Sequence, residues 1–229
     1  MARTRSLFPA ARGASLLLAC IGVCLVTFSV LSAPAAASVN PNWLVAQIAT
    51  SKDGTSRVLL TAQTNNGEVV SIWKLNAAGS HIATSQTFGP YTDSNGGQWI
   101  ADSILPTMIV AADGTTRLLW TATSNGGTAA SIWTFDSNMN KIGTGPAYGP
   151  YGDWVPTQFL VAPDGSERLL WTEIVGKNGE TVASIWNLNS SGHVNSMGAS
   201  YGPYSGTLGF WAPLQLAVAP DGTSRLLWT

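Results

Sequence analysis

From residue 43 onward the chain repeats one phrase four times. Lys52-Asp53-Gly54-Thr55-Ser56-Arg57-Val58-Leu59-Leu60-Thr61 returns as Ala112-Asp113-Gly114-Thr115-Thr116-Arg117-Leu118-Leu119-Trp120-Thr121. It returns again as Pro163-Asp164-Gly165-Ser166-Glu167-Arg168-Leu169-Leu170-Trp171-Thr172 and as Pro220-Asp221-Gly222-Thr223-Ser224-Arg225-Leu226-Leu227-Trp228-Thr229. The Asp-Gly pairs lie 60, 51 and 57 residues apart. A unit of this size cannot bury its own apolar face, so a chain built this way must stack one supersecondary unit on the next.

Within each unit the signals are those of short strands and tight turns. Asp-Gly marks one hairpin, and Asn66-Gly67, Asn125-Gly126-Gly127 or Asn178-Gly179 marks a second, because Asn and Gly accept the positive φ that such turns need. A third turn falls at Asn76-Ala77-Ala78-Gly79, Asp136-Ser137-Asn138-Met139 and Asn189-Ser190-Ser191-Gly192. The runs between them are rich in Val, Ile, Leu, Trp and Thr and too short for helices. They predict four strands per unit: a (Trp43 to Ser51), b (Arg57 to Thr64), c (Glu68 to Leu75) and d (His81 to Phe88), with counterparts downstream. Three full units and a fourth a–b pair predict fourteen strands, in units of about 43–98, 99–153, 154–210 and 211–229.

The second unit departs from this spacing. Trp99 precedes its Asp-Gly by fourteen residues, whereas Trp43, Trp154 and Trp211 precede theirs by ten, and it follows the insertion Thr92-Asp93-Ser94-Asn95-Gly96-Gly97-Gln98. Either its first strand is bulged or offset, or Trp99 belongs to the loop.

Four-stranded units at this period resemble β-propeller blades, and the Pro-Asp-Gly hairpin is similar to that of TolB-type propeller repeats. The fuller phrase, with Ser71-Ile72-Trp73 and Tyr148-Gly149-Pro150-Tyr151 and their counterparts, resembles tandem repeats of secreted, lectin-like bacterial proteins. The resemblance covers residues 43–229 and implies an all-β, β-propeller-type array of four-stranded antiparallel blades. The partial fourth unit lacks c and d, so its strand b is expected to be an exposed edge. That predicts either a truncated product or fragment, or an open array needing further units from elsewhere.

The segment before the repeats reads as an address. Residues 1–13 hold three arginines and no acid, 14–31 are uncharged and largely apolar, and 32–37 are Ser-Ala-Pro-Ala-Ala-Ala. That order predicts a signal peptide over 1–37, cleavage after Ala35-x-Ala37, and a secreted chain starting at Ser38. An uncleaved membrane anchor is the competing account. Leu17-Leu18-Ala19-Cys20 resembles a lipidation box, but the apolar run continues past Cys20. Both cysteines, Cys20 and Cys24, lie in this segment, so the exported portion offers no thiol for catalysis or metal binding.

Without the three N-terminal arginines the chain has eight basic and twelve acidic residues, which excludes the basic surface that a nucleic-acid partner requires. No cofactor, metal site or catalytic group is expected. His81 and His193 hold equivalent positions in separate units, where Lys141 replaces them in the second. The four glutamates are scattered by the repeat rather than paired across a cleft. The sialidase-type Asp box, the calcium loop of integrin-type blades, Gly-x-Ser-x-Gly and His-Glu-x-x-His are absent.

All ten tryptophans lie in the repeats. Trp120, Trp171 and Trp228 in the middle of strand b read as core between sheets. Trp73, Trp133 and Trp186 alternate with Ile, so one residue type faces each side. Arg57, Arg117, Arg168 and Arg225 read as partners of their own hairpins, with a carboxylated ligand as the alternative. Tyr91, Tyr151 and Tyr204 each follow Gly-Pro at a strand end, with Trp99, Trp154 or Trp211 close behind. Rings held on rigid loops can stack on the C–H face of a sugar, which makes Tyr91, Tyr151, Tyr204, Trp154 and Trp211 the ligand-binding candidates; packing at the sheet corner is the competing account. The partner is expected to be a glycan, or an extracellular protein if the aromatics are structural. A third alternative is a fragment of, or accessory to, a propeller hydrolase.

Overall fold

The computed structural model describes residues 43–229 apart from 95, 102–106, 177, 207 and 208. The signal-peptide reading of 1–37 therefore lies outside the described residues. These residues form seventeen strands and no helix. In the first unit β1 (Leu44–Thr50), β2 (Ser56–Thr64), β3 (Gly67–Leu75) and β4 (His81–Thr84) pair in that order as an antiparallel sheet. In the second, β5 (Trp99–Ile100) and β6 (Met108–Val110) both pair with β7 (Thr116–Ser124), which is followed by β8 (Gly127–Phe135) and β9 (Lys141–Thr144). The third unit comprises β10 (Val155–Val161), β11 (Glu167–Val175), β12 (Glu180–Leu188) and β13 (Val194–Met197). A hairpin of β14 (Tyr204–Gly206) and β15 (Gly209–Trp211) leads to the fourth sheet, β16 (Pro213–Val218) with β17 (Ser224–Trp228).

The count exceeds the expected fourteen because the first strand of unit two is split and the β14–β15 hairpin is added. Trp99 belongs to the strand, since it pairs with Ala122 of β7. The insertion at 92–98 does not displace it. That segment closes on itself through a Thr92↔Gln98 bridge, while the four extra residues fall between Ile100 and Thr107. The first strands of the other units carry a bulge at the corresponding place, between Val45 and Gln47, Pro156 and Gln158, and Pro213 and Gln215. A bulge already leaves residues unpaired, so it can absorb an insertion without disturbing the ladder beyond it.

The predicted strand d is also interrupted. β4 stops at Thr84, the Ser85 hydroxyl accepts the Ile72 N–H at 2.9 Å, and pairing resumes at Val70↔Phe88.

Alternation along the strands gives each sheet two apolar faces. The face toward the following unit carries Leu59 and Ile72 in unit one, Leu119 and Ile132 in unit two, and Leu170 and Ala183 in unit three. Against these pack Met108, Leu118, Trp120 and Trp133; then Phe159, Leu169, Trp171 and Trp186; then Leu216, Leu226 and Trp228. Each fully buried leucine contributes roughly 1.5–3 kcal/mol, so the stacked faces hold most of the stability. Trp120 and Trp171 are buried, as their place in strand b predicts.

Polar groups cross the same junctions. Gln47 accepts the N–H groups of Thr107 and Met108, both at 2.9 Å, and donates to the Met108 carbonyl, while Gln158 does the same for Leu216 N–H and Leu214 C=O. The repeated arginines do more than serve their own hairpins. Asp53 accepts the Thr55 hydroxyl at 2.7 Å, and that hydroxyl accepts from Arg57 at 2.9 Å; Asp113–Thr115–Arg117 and Asp164–Ser166–Arg168 form the same relay. Each guanidinium also reaches the next unit: Arg57 donates to Gly114 C=O, Arg168 to Gly222 C=O and the Ser224 hydroxyl, and Arg117 to Glu167 at 2.7 Å, while the Arg57 Nε has no partner.

The Thr55 hydroxyl and amide hold the exposed Asp53 carboxyl down at about 2. Glu167 is the opposite case. Burial pushes its carboxyl up to about 7 against the pull of Arg117, and its second oxygen has no partner. A group raised in the folded state contributes stability below its unfolded value, and that contribution is lost as pH rises through the folded one. The unfolding free energy from denaturant titrations is therefore expected to fall between about pH 4.5 and 7, by up to ~3 kcal/mol, and Glu167→Gln is expected to flatten that slope.

The Gly-Pro-Tyr corners set a second constraint. Gly89-Pro90, Gly149-Pro150 and Gly202-Pro203 are cis. Gly149 has φ +103°, and a Cβ there would lie 2.6 Å from the Thr128 carbonyl oxygen. Gly165, in the Asp-Gly turn, shares the positive φ but has open space around it. Gly149→Ala is expected to cost about 2–4 kcal/mol and Gly165→Ala about 1 kcal/mol, as two separable drops in thermal midpoint.

Candidate functional site

Each corner carries its tyrosine from the end of one unit onto the tryptophans of the next. The Tyr148 backbone pairs with Ala130 in both directions, and the chain then turns through Gly149 and Pro150 so that Tyr151 N–H reaches the Thr128 carbonyl. Trp154 N–H donates back to the Tyr151 carbonyl at 3.1 Å. The same link joins Trp99 to Tyr91 at 3.0 Å, and Tyr204 and Trp211 are register partners in the β14–β15 hairpin. The segment between Tyr and Trp thus varies in length while its two aromatic ends stay tied together.

Tyr151 stands edge-on to Trp171 and Trp186 with ring centroids 5.5 Å away in each case, and the two indoles lie 5.3 Å apart. Tyr91 makes the equivalent cluster with Trp120 and Trp133, at 5.6 and 5.3 Å. Tyr204 meets Trp228 at 4.9 Å. The tyrosines keep a face in solvent, Tyr151 being 40% exposed.

Around Tyr151 lies a pocket of about 320 Å³, lined by Tyr151, Trp154, Trp171, Ser184, Trp186, Met197, Gly198 and Ser200. In unit two the Lys141 ammonium lies 4.2 Å from the centre of the Trp133 ring. In unit three the register puts Val194, and not the expected His193, in the place of Lys141, and no such cation covers Trp186 among the described residues. The lining includes two serines, Ser184 and Ser200, while the indole Nε1 of Trp171 is buried without a hydrogen-bond partner, as is that of the equivalent Trp120. The Ser184 hydroxyl is committed to the Gly198 carbonyl at 2.9 Å. The lining contains no carboxylate, imidazole, amine or thiol, and the described residues hold no cluster of three or more His, Cys, Asp or Glu placed to bind a metal.

Of the five sequence candidates, the structure brings Tyr151 and Trp154 into this pocket. Tyr91 belongs to the Lys141-associated cluster of unit two. Tyr204 and Trp211 sit together at the fourth unit, both exposed. The reading of strand positions as core missed the contribution of Trp171 and Trp186 to the pocket. They are buried by area, yet one edge of each faces the void, a distinction that alternation along a strand does not carry. The spacing of the Gly-Pro-Tyr corner from the next Leu-Leu-Trp strand was the available signal.

No family model and no curated protein matches the chain. Among solved structures, acylaminoacyl peptidase from Pyrococcus horikoshii, in an orthorhombic crystal form, is similar over 81% of this chain at 12% identity with a TM-score of 0.43. The chain spans about a third of that protein, 32% of its length.

Proposed function

We propose that the exported chain is a noncatalytic, carbohydrate-binding repeat protein whose sheets are propeller-type blades, with Tyr151 and Trp154 as the stacking surface of its best-formed site. The observation that carries this reading is the Tyr151 pocket. It combines the exposed face of Tyr151 with indole rings and two serines in its lining. A pyranose ring offers the complement of such a surface, an apolar C–H face edged by hydroxyls. With no carboxylate, imidazole, amine or thiol in the lining to activate its serines, the pocket supports binding better than turnover. The Tyr91 cluster repeats its ring arrangement, and with the Tyr204–Trp228 pair it would add weak sites on one chain, where modest affinities gain by multivalency.

A protein-binding scaffold is favoured by a different observation: Tyr201, Tyr204, Phe210 and Trp211 are all exposed around the β14–β15 hairpin. Large aromatics grouped on a surface are a common feature of protein interfaces.

A glycan array followed by calorimetry on the best ligand separates the two. Saturable binding is expected, and Tyr151→Ala is expected to weaken it by about tenfold or more, in line with loss of one aromatic stacking contact of ~1.5 kcal/mol. Tyr204→Ala is expected to have a smaller effect. Absence of binding to any glycan, or Tyr151→Ala that unfolds the chain while Tyr151→Phe binds no sugar, would remove the lectin reading. Turnover of chromogenic glycosides would replace it with the hydrolase alternative.

A further inference from the structure

The Ser-Ile-Trp indole that lines the Tyr151 pocket has a counterpart in each of the two preceding units, and in both a basic side chain stands against it. The register sets His81 opposite Leu75, Lys141 opposite Phe135 and Val194 opposite Leu188, one position in three units. In unit one the His81 imidazole stands edge-on to Trp73, with ring centroids 5.1 Å apart. In unit two the Lys141 ammonium lies 4.2 Å from the centre of the Trp133 ring. Unit three sets a valine there. His193, one residue earlier, precedes the strand, with its backbone N–H on the Asn189 side chain.

The rings themselves barely change between units two and three. Tyr91 and Trp120 lie 5.3 and 5.1 Å from Trp133 at interplanar angles of 58° and 44°, and Tyr151 and Trp171 lie 5.5 and 5.3 Å from Trp186 at 63° and 41°. The aromatic that crosses from the preceding unit, Phe88 or Tyr148, meets each indole at 5.7 Å and nearly perpendicular. An arrangement that holds a primary ammonium in unit two is therefore rebuilt in unit three, with valine in place of the lysine and a pocket of about 320 Å³ against the indole. The face of an indole attracts an ammonium through the ring quadrupole, more strongly where water is excluded. Other groups suit the same charge. The Ser184 hydroxyl commits its proton to the Gly198 carbonyl, which leaves its oxygen lone pairs as acceptors for an N–H donor. No basic side chain lines the pocket to repel a cation, and beyond residue 37 the chain carries twelve acidic against eight basic residues.

We infer that the Tyr151 pocket takes a sugar bearing a protonated amine, a hexosamine with its amino group free. Its ammonium rests on Trp186 as the Lys141 ammonium rests on Trp133, and its ring lies against Tyr151 and Trp154. This rests on the carbohydrate reading and narrows it, because neutral and N-acetylated sugars satisfy the stacking rings and leave the face of Trp186 without a charge.

Calorimetry of the full chain with glucosamine, N-acetylglucosamine and glucose oligomers of equal length, in a buffer that keeps the amine protonated, tests it. The glucosamine oligomer is expected to bind about tenfold more tightly than the other two. Val194→Lys, which supplies the ammonium that unit two has, is expected to weaken that binding by about tenfold or more, whereas the uncharged Val194→Met stays within about threefold of wild type. Lys141→Met uncovers Trp133 and is expected to add an amine-binding site. Circular dichroism and thermal midpoints matching wild type verify folding of the variants, and the oligomer comparison on the wild-type chain depends on none of them. Equal affinity for the three oligomers, or a folded Val194→Lys chain that binds glucosamine oligomer as wild type does, would overturn the proposal and leave the lectin reading in place. Methylammonium binding as tightly as the glucosamine oligomer would remove both, since the sugar ring would then contribute nothing.

Discussion

The structure depends on one packing relation, the insertion of a strand-b leucine from one sheet against the large apolar side chains of the next. Leu59, Leu119 and Leu170 are completely buried by it. A sheet of this size exposes too much apolar surface to stand alone, and stacking removes that surface on both sides at once. The polar groups follow from the same geometry. Once two faces are dry, the arginine and glutamine that share the leading face must find partners across the junction. They find them in backbone carbonyls and amides, which every repeat presents regardless of its side chains.

That use of backbone targets explains how the units tolerate divergence. Gln47 holds Thr107 and Met108, whereas Gln158 holds Leu214 and Leu216, and the clamp is indifferent to which side chains those residues carry. Where a side chain is the target, the electrostatics change: Glu167 meets Arg117 in a buried site, and its carboxyl is driven up by burial. The second and third units are therefore joined by a titratable contact that the other junctions replace with neutral acceptors.

The binding surface is a by-product of the same stacking. A tyrosine at the end of one unit lies on the tryptophans of the next, so the aromatic cluster exists only because two units meet. Its Tyr–Trp backbone link keeps the ends of the corner in place while the intervening segment lengthens, as it does after Tyr91 and Tyr204. Three such corners share a plan, but the pocket described lies where no lysine covers the inner indole.

What the sequence by itself determined was everything governed by local chemistry. Asp-Gly and Asn-Gly placed the hairpins, alternation assigned Ile132 and Trp133 to opposite faces, and the repeat period set the four repeating sheets, though not the added β14–β15 hairpin. These signals act between residues a few positions apart, so they are legible in one strand of text. Three features were decided only by the fold: the reach of Arg57 and Arg168 into the following unit, the role of Gln47 as a clamp, and the opening of Trp171 and Trp186 onto the Tyr151 pocket. Each joins residues more than thirty positions apart or depends on which edge of a buried ring faces a void. Such distances are settled by how one sheet rotates onto its neighbour, a quantity that no local pattern encodes.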